Sequence, residues 1–176
     1  MTVGTVRTLL VMGSILLVLA AVWWWSTGAG VPNDSAASRS LATSDTIPAF
    51  TNLDGDTIDL TDQLTTDGPL IVTSWASWCP VCGEQLETLQ ATAGTYRGEV
   101  TIVAVNRQER SNHAKSFLQT VDDISAVTVV LDPADRFYQD ISGYTIPETV
   151  VYDNAGSVIA HFHGIVTVEE LLAVLP

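Results

Sequence analysis

The stretch Pro69-Leu70-Ile71-Val72-Thr73-Ser74-Trp75-Ala76-Ser77-Trp78-Cys79-Pro80-Val81-Cys82 decides the fold. Its first half, up to Trp75, is a short apolar run of the buried-strand type, and it leads through Ala76, Ser77 and Trp78 straight into Cys79. The spacing predicts a helix next, with Pro80 suited to its first turn, Cys82, Leu86, Leu89 and Ala93 along one face, and Gly94 or Gly98 at its end. A Cys-x-x-Cys at the head of a helix sets the first sulfur near unpaired backbone N–H groups and the positive end of the helix dipole. The Cys79 thiolate is therefore expected to be stabilised, with a pKa below that of a free thiol. Cys82, one turn along, is within reach and more sheltered, so Cys79 is expected to attack a partner disulfide and Cys82 to resolve the mixed disulfide. Two rival readings stay open. A zinc site needs two further ligands, which no second Cys-x-x-Cys or Cys/His pair supplies, and an inert pair does not explain the strand-to-helix position.

Upstream, Pro48 to Leu53 and Thr57 to Leu60 flank Asp54-Gly55-Asp56, a hairpin signal. Downstream, Val100 to Val105 and Ala126 to Leu131 read as two more strands. Between them a helix carrying Phe117, Leu118 and Val121 is expected to be capped by Ser111 or Asn112. Asp132-Pro133 opens a short helix through Phe137, Tyr138 and Ile141. Thr149 to Tyr152 and Ser157 to Phe162 are strands joined by Asp153-Asn154-Ala155-Gly156, a second hairpin signal. Thr167 with Glu170 three residues on forms a capping box for a last helix bearing Leu171, Leu172 and Leu175. Strands alternating with helices, then a hairpin and a helix, predict an α/β domain with a mixed central sheet.

The chain has 176 residues, with 20 Asp or Glu against 7 Lys or Arg, a net charge of -13. With one lysine, Lys115, and no basic cluster, nucleic acid is excluded as a partner. Cys79 and Cys82 are the whole cysteine complement and lie too close in sequence to staple a fold. From Thr8 to Asn33 there is no charge, and Leu9 to Trp25 is almost unbroken apolar sequence ending in Trp23, Trp24 and Trp25. Its length approaches what a bilayer-crossing helix requires, and the tryptophans suit the headgroup interface. The expected organisation is a cytoplasmic N-terminus over 1–7, a transmembrane anchor over 8–25, a Ser/Ala/Thr/Gly-rich linker over 26–46 and one folded domain over 47–176. A cleaved secretory signal is the alternative for the first segment. With Arg7 inside, the domain faces the periplasm or the cell exterior. All 20 acids then lie on the outer side of the span.

Trp75-Ala-Ser-Trp-Cys-Pro-Val-Cys82 after an apolar strand resembles the active site of the thioredoxin superfamily, and the resemblance runs from about Ile47 to the C-terminus. Ile146-Pro147 before a strand is similar to that family's cis-proline loop, which implies a cis bond there and a partner-binding role for Ile146 and Pro147, beside Trp78 and Pro80. The N-terminal anchor, together with helix and strand material around 111–131 that a minimal thioredoxin lacks, is similar to the extracytoplasmic TlpA/ResA and DsbE/CcmG group. Pro147-Glu148-Thr149 after Gly143-Tyr144 resembles the DsbE/CcmG form of the loop. The Trp-Cys-Pro-Val-Cys centre is also similar to that of membrane-anchored proteins linked to copper-stress tolerance. The resemblance implies a thiol-disulfide reductase that works without a cofactor. Its electrons would come from a membrane donor of the DsbD/CcdA type and pass to disulfide-bearing extracytoplasmic proteins, among them apocytochrome c. Net oxidation or isomerisation is the second enzymatic reading. Carriage of Cu(I) on the same thiols is the reading from another class.

Two positions depart from the family pattern. The buried acid of thioredoxins corresponds to Thr73, and the helix acid of the cytochrome-maturation group corresponds to Gln85, with Glu84 one residue off register. Glu84 is therefore the candidate to manage the proton of Cys82, with water as the alternative. Elsewhere, His161 and His163 alternate on one strand and so share a face. Two ligands do not make a site, so they read as surface histidines and no metal centre is expected. His113 is expected to be exposed, Trp75 to pack in the core and Trp78 to contact partners. Glu169 and Glu170 suit the start of the last helix.

Overall fold

A computed structural model describes residues 49–64 and 68–176. The expected cytoplasmic segment, anchor and linker lie outside the described residues. Among the described residues no helix is long and apolar enough to cross a membrane.

Among the described residues seven strands form one mixed sheet: β1 (Phe50–Asn52), β2 (Thr57–Ile58), β3 (Leu70–Trp75), β4 (Thr101–Arg107), β5 (Thr128–Asp132), β6 (Glu148–Tyr152) and β7 (Val158–His163). Their spatial order is β2-β1-β5-β4-β3-β6-β7. β3, β4 and β5 run parallel, while β6, β7, β1 and β2 each pair antiparallel with their neighbours. Among the described residues four helices accompany the sheet: α1 (Cys82–Thr95), α2 (Ser111–Leu118), α3 (Arg136–Asp140) and α4 (Val168–Val174). The predicted α/β class and mixed sheet are what the chain adopts.

β3 is buried at all six positions, as its unbroken apolar reading requires of a central strand flanked on both faces. Alternation along the strands separates two cores. On one face Ile71, Trp75, Ile102 and Ala104 pack with Leu86 and Leu89 of α1, Ala114 of α2 and Leu171 of α4, and both cysteines belong to this cluster. On the other, Leu70, Val72, Val103, Val105, Val150 and Tyr152 pack with Phe137 of α3 and Leu60. Burial pushes the Tyr152 phenol well above its ordinary pKa, with the charge of Asp140 adding to the shift.

Local chemistry sets several boundaries differently from the sequence reading. The first α-helical residue is Cys82. Pro80 and Val81 lie in the preceding turn, which is closed by the Cys82 N–H donating to the Cys79 carbonyl. α1 ends at Thr95 with neither glycine as terminator: Tyr96 turns extended, and its N–H still bonds the Thr92 carbonyl. Neither Ser111 nor Asn112 caps α2. Arg110 holds the cap position without a side-chain bond, and Val121 lies beyond the helix, yet it packs against the first core. Asp132 closes β5 rather than opening α3, whose cap position is held by Asp135 in the left-handed region, although the Asp132 carboxylate accepts from the Phe137 N–H at 2.9 Å. The capping box forms as read, with the Thr167 hydroxyl accepting from the Glu170 N–H and the Glu170 carboxylate accepting from the Thr167 N–H.

Candidate active site

β3 delivers the chain to the edge of the parallel strands, and Ala76 to Trp78 form the turn that hands it to Cys79. Cys79 and Cys82 are joined as a disulfide, with Cα atoms 5.4 Å apart, and both are almost fully buried. Opposite them lies the loop before β6. Its Ile146–Pro147 bond is cis, as the resemblance implied, and the Ile146 carbonyl oxygen is 4.0 Å from Cys79 Sγ. Beside this buried pair Trp78 is 58% exposed, whereas Tyr144, 73% exposed, stacks on His163 with ring centroids 4.3 Å apart. Pro80 is exposed as well, whereas Pro147 is buried and Ile146 half-buried. The chain therefore brings Trp78, Cys79, Pro80, Cys82, Ile146 and Pro147 to one end of the sheet, beyond the last residue of β3 and before the first of β6.

The two departures from the family pattern have structural explanations. Thr73 is fully buried, and its hydroxyl donates to the Glu148 carbonyl at 3.2 Å and meets the Thr149 hydroxyl at 3.0 Å, lacing β3 to β6. Gln85 is also fully buried, and its Oε1 accepts from the Val166 N–H at 2.9 Å, tying α1 to the turn before α4. Its amide nitrogen has no partner among the described residues. Glu84 projects from the first turn of α1 and is exposed, whereas Cys82 is fully buried.

One carboxylate that the sequence did not mark holds the nucleophile's turn. Glu109, just past β4, accepts from the Ser77 N–H and the Asn106 amide, each at 2.8 Å, and from the Ser77 hydroxyl. Burial works to raise its pKa, but the Ser77 and Asn106 bonds and the charge of His113 prevail and hold it below the ordinary glutamate value. The signal was Asn106, a polar residue closing an otherwise apolar strand, which demands a partner. Next to it, Arg107 forms a bidentate pair with Asp135 and stacks over the Tyr138 ring, 3.4 Å from its centroid.

A second carboxylate braces the proline loop. Glu148 opens β6, points to the sheet face opposite the disulfide and is fully buried. Its Oε1 accepts from the Tyr144 and Thr145 N–H groups, each at 3.0 Å, while Oε2 meets His161 Nε2 at 2.8 Å and His163 Nδ1 at 2.6 Å. Burial alone would raise the Glu148 carboxyl. The two backbone N–H groups and His163 reverse that and hold it below its ordinary value. The shared face of His161 and His163 is as predicted. Their reading as plain surface residues is corrected, because β6–β7 pairing sets Glu148 directly opposite His163. His113 is exposed, Trp75 is core and Trp78 is exposed, as expected.

A disulfide in this setting can take part in thiol–disulfide exchange: reduced, it gives two electrons to another disulfide, and oxidised, it accepts two from a dithiol. Known proteins with similar sequences and folds agree with this chemistry. Residues 42–175 match the Redoxin family. The thiol:disulfide interchange protein DsbE of Escherichia coli (strain K12) is 25% identical over 162 residues, covering 90% of this chain and 85% of that protein. DsbE of Haemophilus influenzae is 28% identical over 59% of this chain, and the match spans only 56% of that relative. HelX, the thiol:disulfide interchange protein of Rhodobacter capsulatus, is 29% identical over 61% of this chain and 59% of its own length. In fold, Mycobacterium tuberculosis DsbF superposes with a TM-score of 0.62 at 22% identity, covering 73% of this chain and 96% of that one. The chain therefore belongs to the Redoxin family, as a DsbE-like member of the thioredoxin superfamily of thiol-disulfide oxidoreductases.

Proposed function

We propose that the protein is held in the cell membrane by its apolar segment at 8–25 and reduces disulfides of extracytoplasmic proteins, including the haem-attachment Cys-x-x-Cys of apocytochrome c. The names of the DsbE and HelX relatives support disulfide interchange, and the apolar segment with Arg7 before it supports an outward-facing domain. The observation that carries disulfide exchange is the buried Cys79–Cys82 disulfide facing the cis Ile146–Pro147 bond, with the Ile146 carbonyl oxygen 4.0 Å from Cys79 Sγ. The reducing direction rests on the resemblance to the DsbE/CcmG group, and it is the reduction potential of the pair that decides it.

In the reduced protein the Cys79 thiolate attacks one sulfur of the partner disulfide, forming a mixed disulfide and expelling a partner thiolate. Cys82 loses its proton to water or to Glu84 and attacks Cys79 Sγ. The Cys79–Cys82 disulfide forms, the second partner thiol leaves, and two electrons have passed to the partner. A membrane dithiol donor of the DsbD/CcdA type then returns two electrons. Trp78, Pro80, Ile146 and Pro147 form the surface that seats the partner chain around Cys79. The test is to express the full chain carrying Cys82→Ala and identify the proteins trapped on Cys79. Capture of apocytochromes or other disulfide-bearing exported proteins is expected. Capture of none, with stoichiometric Cu(I) binding by the unaltered protein, would overturn the proposal.

A further inference from the structure

Exchange at Cys79 uses one face of β6. On the other face the structure assembles three side chains that this chemistry does not use, Glu148, His161 and His163. One ligand atom from each of the three lies within 4.8 Å of the other two. We propose that these three residues form a binding site for a divalent first-row transition ion of the zinc type, held by Glu148 Oε2, His161 Nε2 and His163 Nδ1.

The backbone fixes the arrangement. Glu148 and His163 are registered partners across β6 and β7, and His161 sits two residues along on the same face, so two adjacent strands position all three donors. Carboxylate oxygen and imidazole nitrogen are the donor types that zinc takes in three-ligand sites of the His2Glu kind, at about 2.0–2.2 Å. Around a tetrahedral ion at such distances, donors stand roughly 3.4 Å apart. Oε2 now lies 2.8 and 2.6 Å from the two imidazole nitrogens, so small side-chain rotations open the space.

Three further observations point to an ion site rather than to a plain hydrogen-bonded cluster. The carboxylate is oriented from behind, since its other oxygen is occupied by the Tyr144 and Thr145 N–H groups, which is how outer partners commonly set a ligating carboxylate. Access is one-sided: the Glu148 side chain is fully buried, while the His161 and His163 side chains are 25% and 36% exposed. Finally, Ser74 is the registered neighbour of Glu148 on β3, and its buried hydroxyl has no partner among the described residues. Three protein donors leave a coordination position for water. The ion would join β6 and β7 directly behind the loop that carries Ile146 and Pro147, through the same carboxylate that holds that loop's backbone.

The test uses the full chain with Cys79 and Cys82 oxidised, so that neither sulfur is available as a ligand, titrated calorimetrically with zinc chloride. One zinc ion per chain is expected, with binding at least about tenfold weaker in His161→Gln and in His163→Gln. X-ray absorption of the zinc-loaded unaltered protein needs no variant and guards against one that fails to fold. It should show imidazole and oxygen neighbours at about 2.0–2.1 Å and no sulfur shell near about 2.3 Å. No stoichiometric uptake, uptake unchanged by both substitutions, or a first shell lacking imidazole would overturn the site. Because disulfide exchange is silent in this experiment, its failure leaves the proposed reductase function standing, and the reverse also holds.

Discussion

Pro147 and Glu148 are consecutive residues, yet they serve opposite sides of the sheet. On the side of Pro147 the two sulfurs sit in an apolar cluster, with the Ile146 carbonyl oxygen 4.0 Å from Cys79 Sγ. On the side of Glu148 one carboxylate takes four hydrogen bonds and is held ionised. The contrast shows how a site can be dry where electrons move and heavily bonded where its geometry is kept. A charge beside the disulfide would perturb exchange, so the fixing groups stand one residue, and hence one sheet face, away. Glu109 repeats the device on the other wall by anchoring Ser77, two residues before the nucleophile.

Removing the bonded side should hurt stability most. Glu148→Ala leaves two backbone N–H groups and two imidazoles without their acceptor, and is expected to lower unfolding stability by about 3 kcal/mol in denaturant titration. Acid should act on the same groups. Glu148 and Glu109 are both held below the ordinary glutamate value in the folded chain, so unfolding raises their affinity for protons. Their stabilisation is complete above the unfolded value and is lost as pH falls through the depressed folded ones. Thermal midpoints measured between about pH 5 and pH 3 should therefore drop more steeply in the unaltered protein than in Glu148→Gln, and parallel curves would break the contrast. Next in size, Glu109→Gln weakens the bonds to Ser77, with an expected cost of about 1 kcal/mol. It should also slow exchange severalfold in a dithiol turnover assay, because the turn before Cys79 loosens. Thr167→Ala, whose hydroxyl bonds within α4 to Glu170, removes the α4 cap for about 1 kcal/mol and should leave the exchange rate unchanged.

The redox side was legible in the sequence because its determinants are local. An apolar run, a Cys-x-x-Cys and a proline before a strand lie in continuous segments, and a capping box spans only four residues. The bonded side was not, because Glu148 reaches His161 and His163 only through the pairing of β6 with β7, and Ser77 reaches Glu109 across 32 positions. Sequence periodicity correctly placed the two histidines on one face, but it carried no information about which strand lay beside them. The helix ends misread at α1 and α2 are cases where a backbone turn closes the element and no side chain signals it. Thr73 and Gln85 were legible as departures from a family pattern, though their structural roles, lacing β3 to β6 and α1 to Val166, depend on tertiary neighbours.

The claim that the Cys79–Cys82 pair gives electrons to its partners is tested most directly by its reduction potential. Equilibrating the full chain in thiol–disulfide buffers of graded ratio, and quantifying the disulfide by thiol alkylation, yields that value. A potential below about -180 mV, on the reducing side of protein disulfide isomerase, is predicted, whereas one near about -120 mV, the range of a strong disulfide donor, would contradict the account.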